Sequence, residues 1–205
     1  MKKGNGLISI DDLKNYSSKY RKPIIGSYKG YKIVSMGPPS SGGALLINML
    51  NMMENYSEDS LQWNSSDYVH IMTEIQRRAY SDRAKHMGDP DYWEVPLGMF
   101  KSKKYAKIRS DDIDMNLATP SNKVYPGNPN GYESPETTHY SVVDQWGNAV
   151  SITTTINLSY GNGCVVDGAG FFLNNEMDDF SSKPGIPNAF GLIGNEANAI
   201  APEKR

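Results

Sequence analysis

Eleven of the seventeen residues between positions 120 and 136 are Pro, Gly, Asn or Ser. Such a run sustains neither a helix nor a central strand, because Pro has no amide hydrogen and the other three favour turns. The expectation is an exposed, mobile connector and a natural place for the chain to be cut. Hydrophobic periodicity changes across it, from 3-and-4 spacing before to two-residue alternation after. The chain therefore reads as α+β, with residues 1–136 mainly helical and residues 137–205 mainly β.

Before the connector, Ser9-Ile10-Asp11-Asp12 has capping-box spacing and starts a short helix through Tyr16. Residues 24–28 and 31–35, split by Lys29-Gly30, predict a small hairpin. The loop Gly37-Pro38-Pro39-Ser40-Ser41-Gly42-Gly43 leads into residues 44–53, which are apolar almost all round and predict a helix buried on most faces. Tyr68, Ile71, Met72, Ile75 and Ala79 predict an amphipathic helix from about Ser66 that ends by Gly88-Asp89-Pro90. A weaker helix is expected over 102–108. After the connector, residues 138–144, a Gln145-Trp146-Gly147 turn and residues 148–157 predict a second hairpin, with further β-like sequence over 164–173.

At 205 residues the chain is one domain of ordinary size or a large piece of a bigger one. Its 21 Lys and Arg against 23 Asp and Glu leave a net charge of −2, without the positive field that nucleic acids or anionic membranes require. No nucleic-acid partner is expected. The longest apolar run, Ala44-Leu45-Leu46-Ile47, is far short of a membrane span, and no signal-type stretch follows Met1. One cysteine, Cys164, precludes an internal disulfide, and with His70, His86 and His139 it cannot fill a zinc cage. No metal or other cofactor is assigned.

The second hairpin has an unusual face. Ser151, Thr153, Thr155 and Asn157 alternate with Ile152 and Ile156, so one side presents hydroxyls and an amide while the other is expected to pack. Closing the turn with Asp144 opposite Asn148 pairs residues whose numbers total 292 and sets Thr155 opposite Thr137. A one-residue slip would substitute Ile156. By pattern alone, a Thr-rich strand with a solvated face is the plainer account.

The stretch Thr137-Thr138-His139-Tyr140-Ser141-Val142-Val143-Asp144, with Gly147-Asn148-Ala149-Val150 after it, resembles the start of the small subunit of the γ-glutamyltranspeptidases. Collinear segments extend the resemblance from Gly6 to Arg205: Pro38-Pro39-Ser40-Ser41-Gly42-Gly43, Tyr80-Ser81-Asp82-Arg83, Gly88-Asp89-Pro90, Leu173-Asn174-Asn175-Glu176-Met177-Asp178-Asp179-Phe180 and Lys183-Pro184-Gly185. The resemblance implies an N-terminal-nucleophile hydrolase with an αββα sandwich, incomplete in this chain. It implies a precursor that cuts itself between Glu136 and Thr137, leaving large-subunit (1–136) and small-subunit (137–205) fragments paired. Thr137 is then the nucleophile and Thr155 the neighbour that orients it. Asn157, Glu176 and Asp179 match the residues that hold the α-amino and α-carboxyl ends of a glutamyl group. The implied partners are γ-glutamyl compounds such as glutathione as donors, with water, amino acids or dipeptides as acceptors. The implied compartment is periplasmic or secreted.

Other residues receive blander readings. Without the resemblance, Glu176 and Asp179 read as members of an Asn/Asp-rich turn that caps local backbone. Residues 184–195 match a lid loop, with Phe190 where the family often has Tyr. His139 is expected to point away from its neighbours' face, Cys164 to be a small packed residue, and Arg77, Arg78 and Arg83 to form a solvated helix face. The chain reads as a middle slice of the family, without the Arg used for the substrate carboxylate and without the Ser-Ser pair and Gly-Gly oxyanion donors. A non-catalytic or uncleaved fragment of the same fold, or a related amide acylase or depolymerase, is the alternative reading.

Overall fold

The structure is a computed structural model that describes residues 6–57, 61–125, 138–187 and 194–204. Among the described residues, five α-helices precede the connector: α1 (Ile10–Asn15), α2 (Gly42–Met53), α3 (Ser66–His86), α4 (Leu97–Lys101) and α5 (Lys103–Ser110). The strands of the described residues form two antiparallel hairpins, β1–β2 (Ile24–Tyr28, Tyr31–Ser35) and β3–β4 (Thr138–Val143, Ala149–Thr154).

The local signals behave as their chemistry dictates. At α1 the Ser9 hydroxyl accepts from the Asp12 amide at 3.1 Å, and the Asp12 carboxylate accepts from the Ser9 amide at 2.7 Å, which completes a capping box. Ser65 and Ser102 cap α3 and α5 in the same way, each accepting from the amide three residues on. The β1–β2 hairpin pairs Ile24 with Ser35 and Tyr28 with Tyr31 around the Lys29-Gly30 turn. Helix α4 was not legible; it is a single turn with no side-chain cap, and only Phe100 is buried.

The core lies between α2 and α3. Ala44, Leu45, Ile47 and Met52 of α2 pack with Ile71, Ile75 and Ala79 of α3, and Ile24, Phe100 and Ala106 close the cluster from β1, α4 and α5. Each fully buried Leu, Ile, Met or Phe side chain here contributes on the order of 1.5–3 kcal/mol.

The solvated arginine face does not exist. Arg78 is 1% exposed and donates to Glu74 at 2.5 Å, to Asp112 at 2.9 Å and to the Thr119 hydroxyl at 3.1 Å. Arg77 donates to Glu74 at 2.5 Å and to Ser121 at 3.0 Å. A buried guanidinium needs such partners, and here they come from the approach to the connector. The first residues of the connector itself depart from the expected exposed segment: Ser121–Lys123 forms a 3-10 turn, Val124 is buried, and its carbonyl accepts from Ser81.

The β3–β4 hairpin has the predicted register, from Val143 opposite Ala149 to Thr138 opposite Thr154. Its expected packed face is not covered among the described residues. Every β4 residue is exposed, and Tyr140, Val142, Val150 and Ile152 all show substantial apolar surface. β4 ends at Thr154, three residues before the expected end. Beyond it, Val165 bridges Phe172, and the chain makes a close approach at Gly161. A Cβ at Gly161 would sit 2.0 Å from the Leu173 carbonyl oxygen, and its φ of +56° also suits glycine. Cys164 is exposed rather than packed.

Candidate active site

Several pieces of chain distant in sequence meet beside the C-terminal end of α3. Arg83 donates through Nε to the Ser41 hydroxyl at 2.9 Å, tying α3 to the serine-glycine loop that opens α2. The next residue, Ala84, accepts from the Asn195 side chain at 3.1 Å. Gly88 lies against residue 197 so closely that a Cβ would fall 2.1 Å from the Ala197 carbonyl oxygen. The same C-terminal segment reaches the acidic turn, where the Asn198 side chain donates to the Asp179 carbonyl at 2.7 Å.

Asn157 connects this region to the end of β4. It is buried and adopts a φ of +72°, a left-handed conformation that Asn tolerates better than most residues. Its amide donates to the Thr155 hydroxyl at 2.9 Å, and its side chain donates to the Asn175 carbonyl at 3.1 Å. Asn175 returns the link, its side-chain oxygen accepting from the Leu158 amide at 3.1 Å. Thr155 and Asn157 are thereby joined to the turn that carries Glu176 and Asp179.

That turn is the 3-10 helix Glu176–Asp179, so the two carboxylates share one turn, as their spacing predicts. Partial dehydration pushes the Glu176 carboxyl up, and the Asp179 charge adds to the rise. Dehydration also raises Asp179; Arg83 opposes that rise and Asp178 reinforces it. Two carboxylates that resist ionisation together favour a cationic ligand, because positive charge relieves their repulsion. Among the described residues, no group of three or more His, Cys, Asp or Glu is arranged to hold a metal ion.

A family profile described as gamma-glutamyltranspeptidase matches residues 1–205. The chain belongs to the γ-glutamyltranspeptidase family. The glutathione hydrolase proenzyme of Escherichia coli (strain K12) is 48% identical over 205 residues, covering 100% of this chain and 35% of that protein. The structure of γ-glutamyltranspeptidase from Helicobacter pylori is 46% identical, with a TM-score of 0.59 over 66% of this chain and 39% of that one. Cephalosporin acylase from Bacillus halodurans is 27% identical, with a TM-score of 0.78 over 100% of this chain and 34% of that one. The chain thus spans about a third of the length of these relatives.

In this γ-glutamyltranspeptidase segment, the expected site residues divide into two groups. Thr155, Asn157, Glu176 and Asp179 are drawn together as described. Glu136 and Thr137 lie outside the described residues, as do Phe190 and the rest of 188–193; the ends of that loop meet where the Gly185 amide donates to the Gly194 carbonyl at 3.0 Å. The side chain of His139 also lies outside them. Arg83 was missed, because helical periodicity marks the face a residue occupies without showing which loop covers that face. Among the described residues, no helix is long and apolar enough to cross a membrane.

Proposed function

We propose that this chain carries the cleavage site and the ammonium-binding part of a self-processing enzyme that transfers and hydrolyses γ-glutamyl groups on an αββα sandwich. One observation supports this reading above others. The β3–β4 register keeps the total of 292, and a ladder carried one step further would set Thr155 opposite position 137. Thr155 is also the residue whose hydroxyl accepts from the buried Asn157, so nucleophile and glutamyl-binding turn would lie within one short path.

In maturation, the Thr137 hydroxyl attacks the Glu136 carbonyl, the acyl group moves from nitrogen to oxygen, and water hydrolyses the ester. Glu136 leaves with a carboxylate and Thr137 gains a free amine. An α-amino group of ordinary pKa is on the order of 10–20% neutral at pH 7, enough to act as base. In turnover this amine takes the hydroxyl proton while the oxygen attacks the γ-carbonyl of the donor. The proton passes to the departing amine, leaving a glutamyl ester on Thr137. Water, an amino acid or a dipeptide then attacks the ester and restores the hydroxyl. Thr155, its oxygen occupied by the Asn157 amide, retains a hydrogen with which to orient Thr137. Asn157, Glu176 and Asp179 receive the donor's α-ammonium. The large and small fragments remain paired, and the enzyme works in the periplasm or outside the cell.

The acylase match across the whole chain favours a second reading, an amide acylase with the same nucleophile. The α-ammonium separates the two. Full-length enzyme carrying this segment is expected to prefer a γ-glutamyl anilide over a glutaryl anilide, which lacks the amine. Asp179→Ala should lower kcat/KM on the γ-glutamyl anilide by about ten- to a hundredfold, the loss of one charge-assisted contact, and leave the glutaryl anilide unaffected. Equal loss on both substrates, or on neither, would favour the acylase reading.

A further inference from the structure

His70, Glu74, Arg77, Arg78 and Ser81 share one face of α3 at helical spacing, and each of them binds the chain that follows α5 or the start of the connector. His70 donates through Nε2 to the Asp114 carbonyl at 2.8 Å. Glu74 accepts from the Thr119 amide at 3.2 Å. Arg78 donates to Asp112 at 2.9 Å and to the Thr119 hydroxyl at 3.1 Å. Arg77 donates to the Ser121 hydroxyl at 3.0 Å, and Ser81 to the Val124 carbonyl at 3.3 Å. Order along the helix follows order along the chain, since Asp114, Thr119, Ser121 and Val124 lie against His70, Glu74, Arg77 and Ser81 in turn. The chain thus runs beside α3 toward the end where Arg83 meets Ser41 and Ala84 meets Asn195. Glu74, Arg78 and Val124 are all buried, so the attachment is not a loose surface contact.

Resting on the reading of Glu136–Thr137 as a self-cleaving bond, we propose that this row of α3 side chains, with Thr119, Ser121 and Val124, forms a set of positioning residues for maturation. They fix the chain as far as Val124 and so shorten the span that presents the Glu136 carbonyl to the Thr137 hydroxyl. Thr137 precedes the first residue of β3, whereas the carbonyl is steered by the chain leading to it. With Val124 held, the thirteen residues 125–137 join the two fixed points. Held only to the end of α5 at Ser110, the span would be the twenty-seven residues 111–137. Loop closure costs (3/2)RT times the logarithm of length, so the longer span lowers the frequency of correct approach about threefold. After cleavage the Glu136 carboxylate and the Thr137 amine are separate ends, and the row has no part in turnover.

The test compares maturation with turnover in the full-length protein. Ser121→Lys sets a second cation against Arg77, and Val124→Ser weakens the buried anchor; neither change touches the α2–α3 core. Newly synthesised precursor carrying both should convert to its two fragments about threefold more slowly than the parent, while kcat/KM on a γ-glutamyl anilide, per mole of cleaved enzyme, stays at the parent value. Arg77→Met should slow conversion in the same direction but less, and it reports on the row if the double variant folds poorly. Ser121→Thr, which keeps the hydroxyl, should mature at the parent rate. Inserting fourteen Gly and Ser residues after Tyr125 leaves the row intact and lengthens the span to the same twenty-seven, so it should slow maturation by the same factor. An unchanged rate in the insertion variant would overturn the proposal, as would an unchanged rate in both the double variant and Arg77→Met. Turnover that falls as far as maturation would overturn it too, by making the row purely structural. Thr137→Ala separates the two levels: if it stays whole while the row and insertion variants mature at the parent rate, only this proposal falls. If Thr137→Ala is cleaved like the parent, the self-processing reading falls, and this proposal with it.

Discussion

Thr155 is where sequence pattern and local geometry meet most closely. The hairpin arithmetic depended only on Asp144 closing opposite Asn148, and the backbone bond between those residues, 3.0 Å from the Asp144 amide to the Asn148 carbonyl, is present. Asp144 reinforces the turn, accepting from the Trp146 and Asn148 amides at 2.9 Å each. Thr155→Val keeps the side-chain volume and the strand preference but removes the hydroxyl. In full-length enzyme it should slow maturation and turnover together, by about tenfold or more, because misalignment of one nucleophile penalises both reactions. Rates measured for both steps in a protein of unchanged stability check this; unchanged rates would leave Thr155 a turn-forming residue only. Alternation and spacing alone read here as a Thr-rich strand and an Asn/Asp-rich turn; the resemblance is what marked these residues as a site. Asn157 was found by its strand parity, yet its left-handed backbone and its bond to Asn175 depend on a loop eighteen residues away and left no local trace. Arg83 and Arg78 were misread for the same physical reason. A charged residue in a helix carries no mark of the distant carboxylate or hydroxyl that allows it to be buried.

At the scale of elements, caps, turns and periodicity delimited α1, α3 and the first hairpin closely, because each signal is satisfied within four residues, while the second hairpin kept its turn and register but ended early. Tertiary contacts set the remainder. Residues 112–121 look like an irregular approach to the connector, yet they supply Asp112, Thr119 and Ser121 to the arginines of α3. Glu74 is the hub. Burial pushes its carboxyl up, but hydrogen bonds from Arg78, Thr119 and Arg77 outweigh burial and hold it below the usual value. A carboxylate depressed in this way contributes stability that is fully present above its unfolded pKa of about 4.3 and is lost as pH falls through the lower folded value. Glu74→Gln should therefore destabilise the protein at pH 7, by about 3–5 kcal/mol for a broken buried pair. It should also flatten the decline of stability below about pH 4.3. Urea unfolding at pH 7 and pH 3 measures both; an equal acid decline in parent and variant would remove Glu74 from the account.

For the whole molecule, the α2–α3 core is closed while the β3–β4 hairpin shows apolar surface on Tyr140, Val142, Val150 and Ile152. A two-stranded hairpin alone is at best marginally stable in water, so this sheet acquires its rigidity from whatever packs on it. The expectation that one face packs came from alternation, which reports that a face is apolar and says nothing of what covers it. Family membership was legible because long collinear segments carry the resemblance. The chemistry that membership implies rests on a single bond, Glu136–Thr137. Intact mass and N-terminal sequencing of full-length enzyme carrying this segment, beside its Thr137→Ala variant, test it most directly. The account predicts two polypeptides in the parent, one ending at Glu136 and one beginning at Thr137, and a single uncleaved chain in the variant. An uncleaved parent, or the same two fragments from Thr137→Ala, would contradict it.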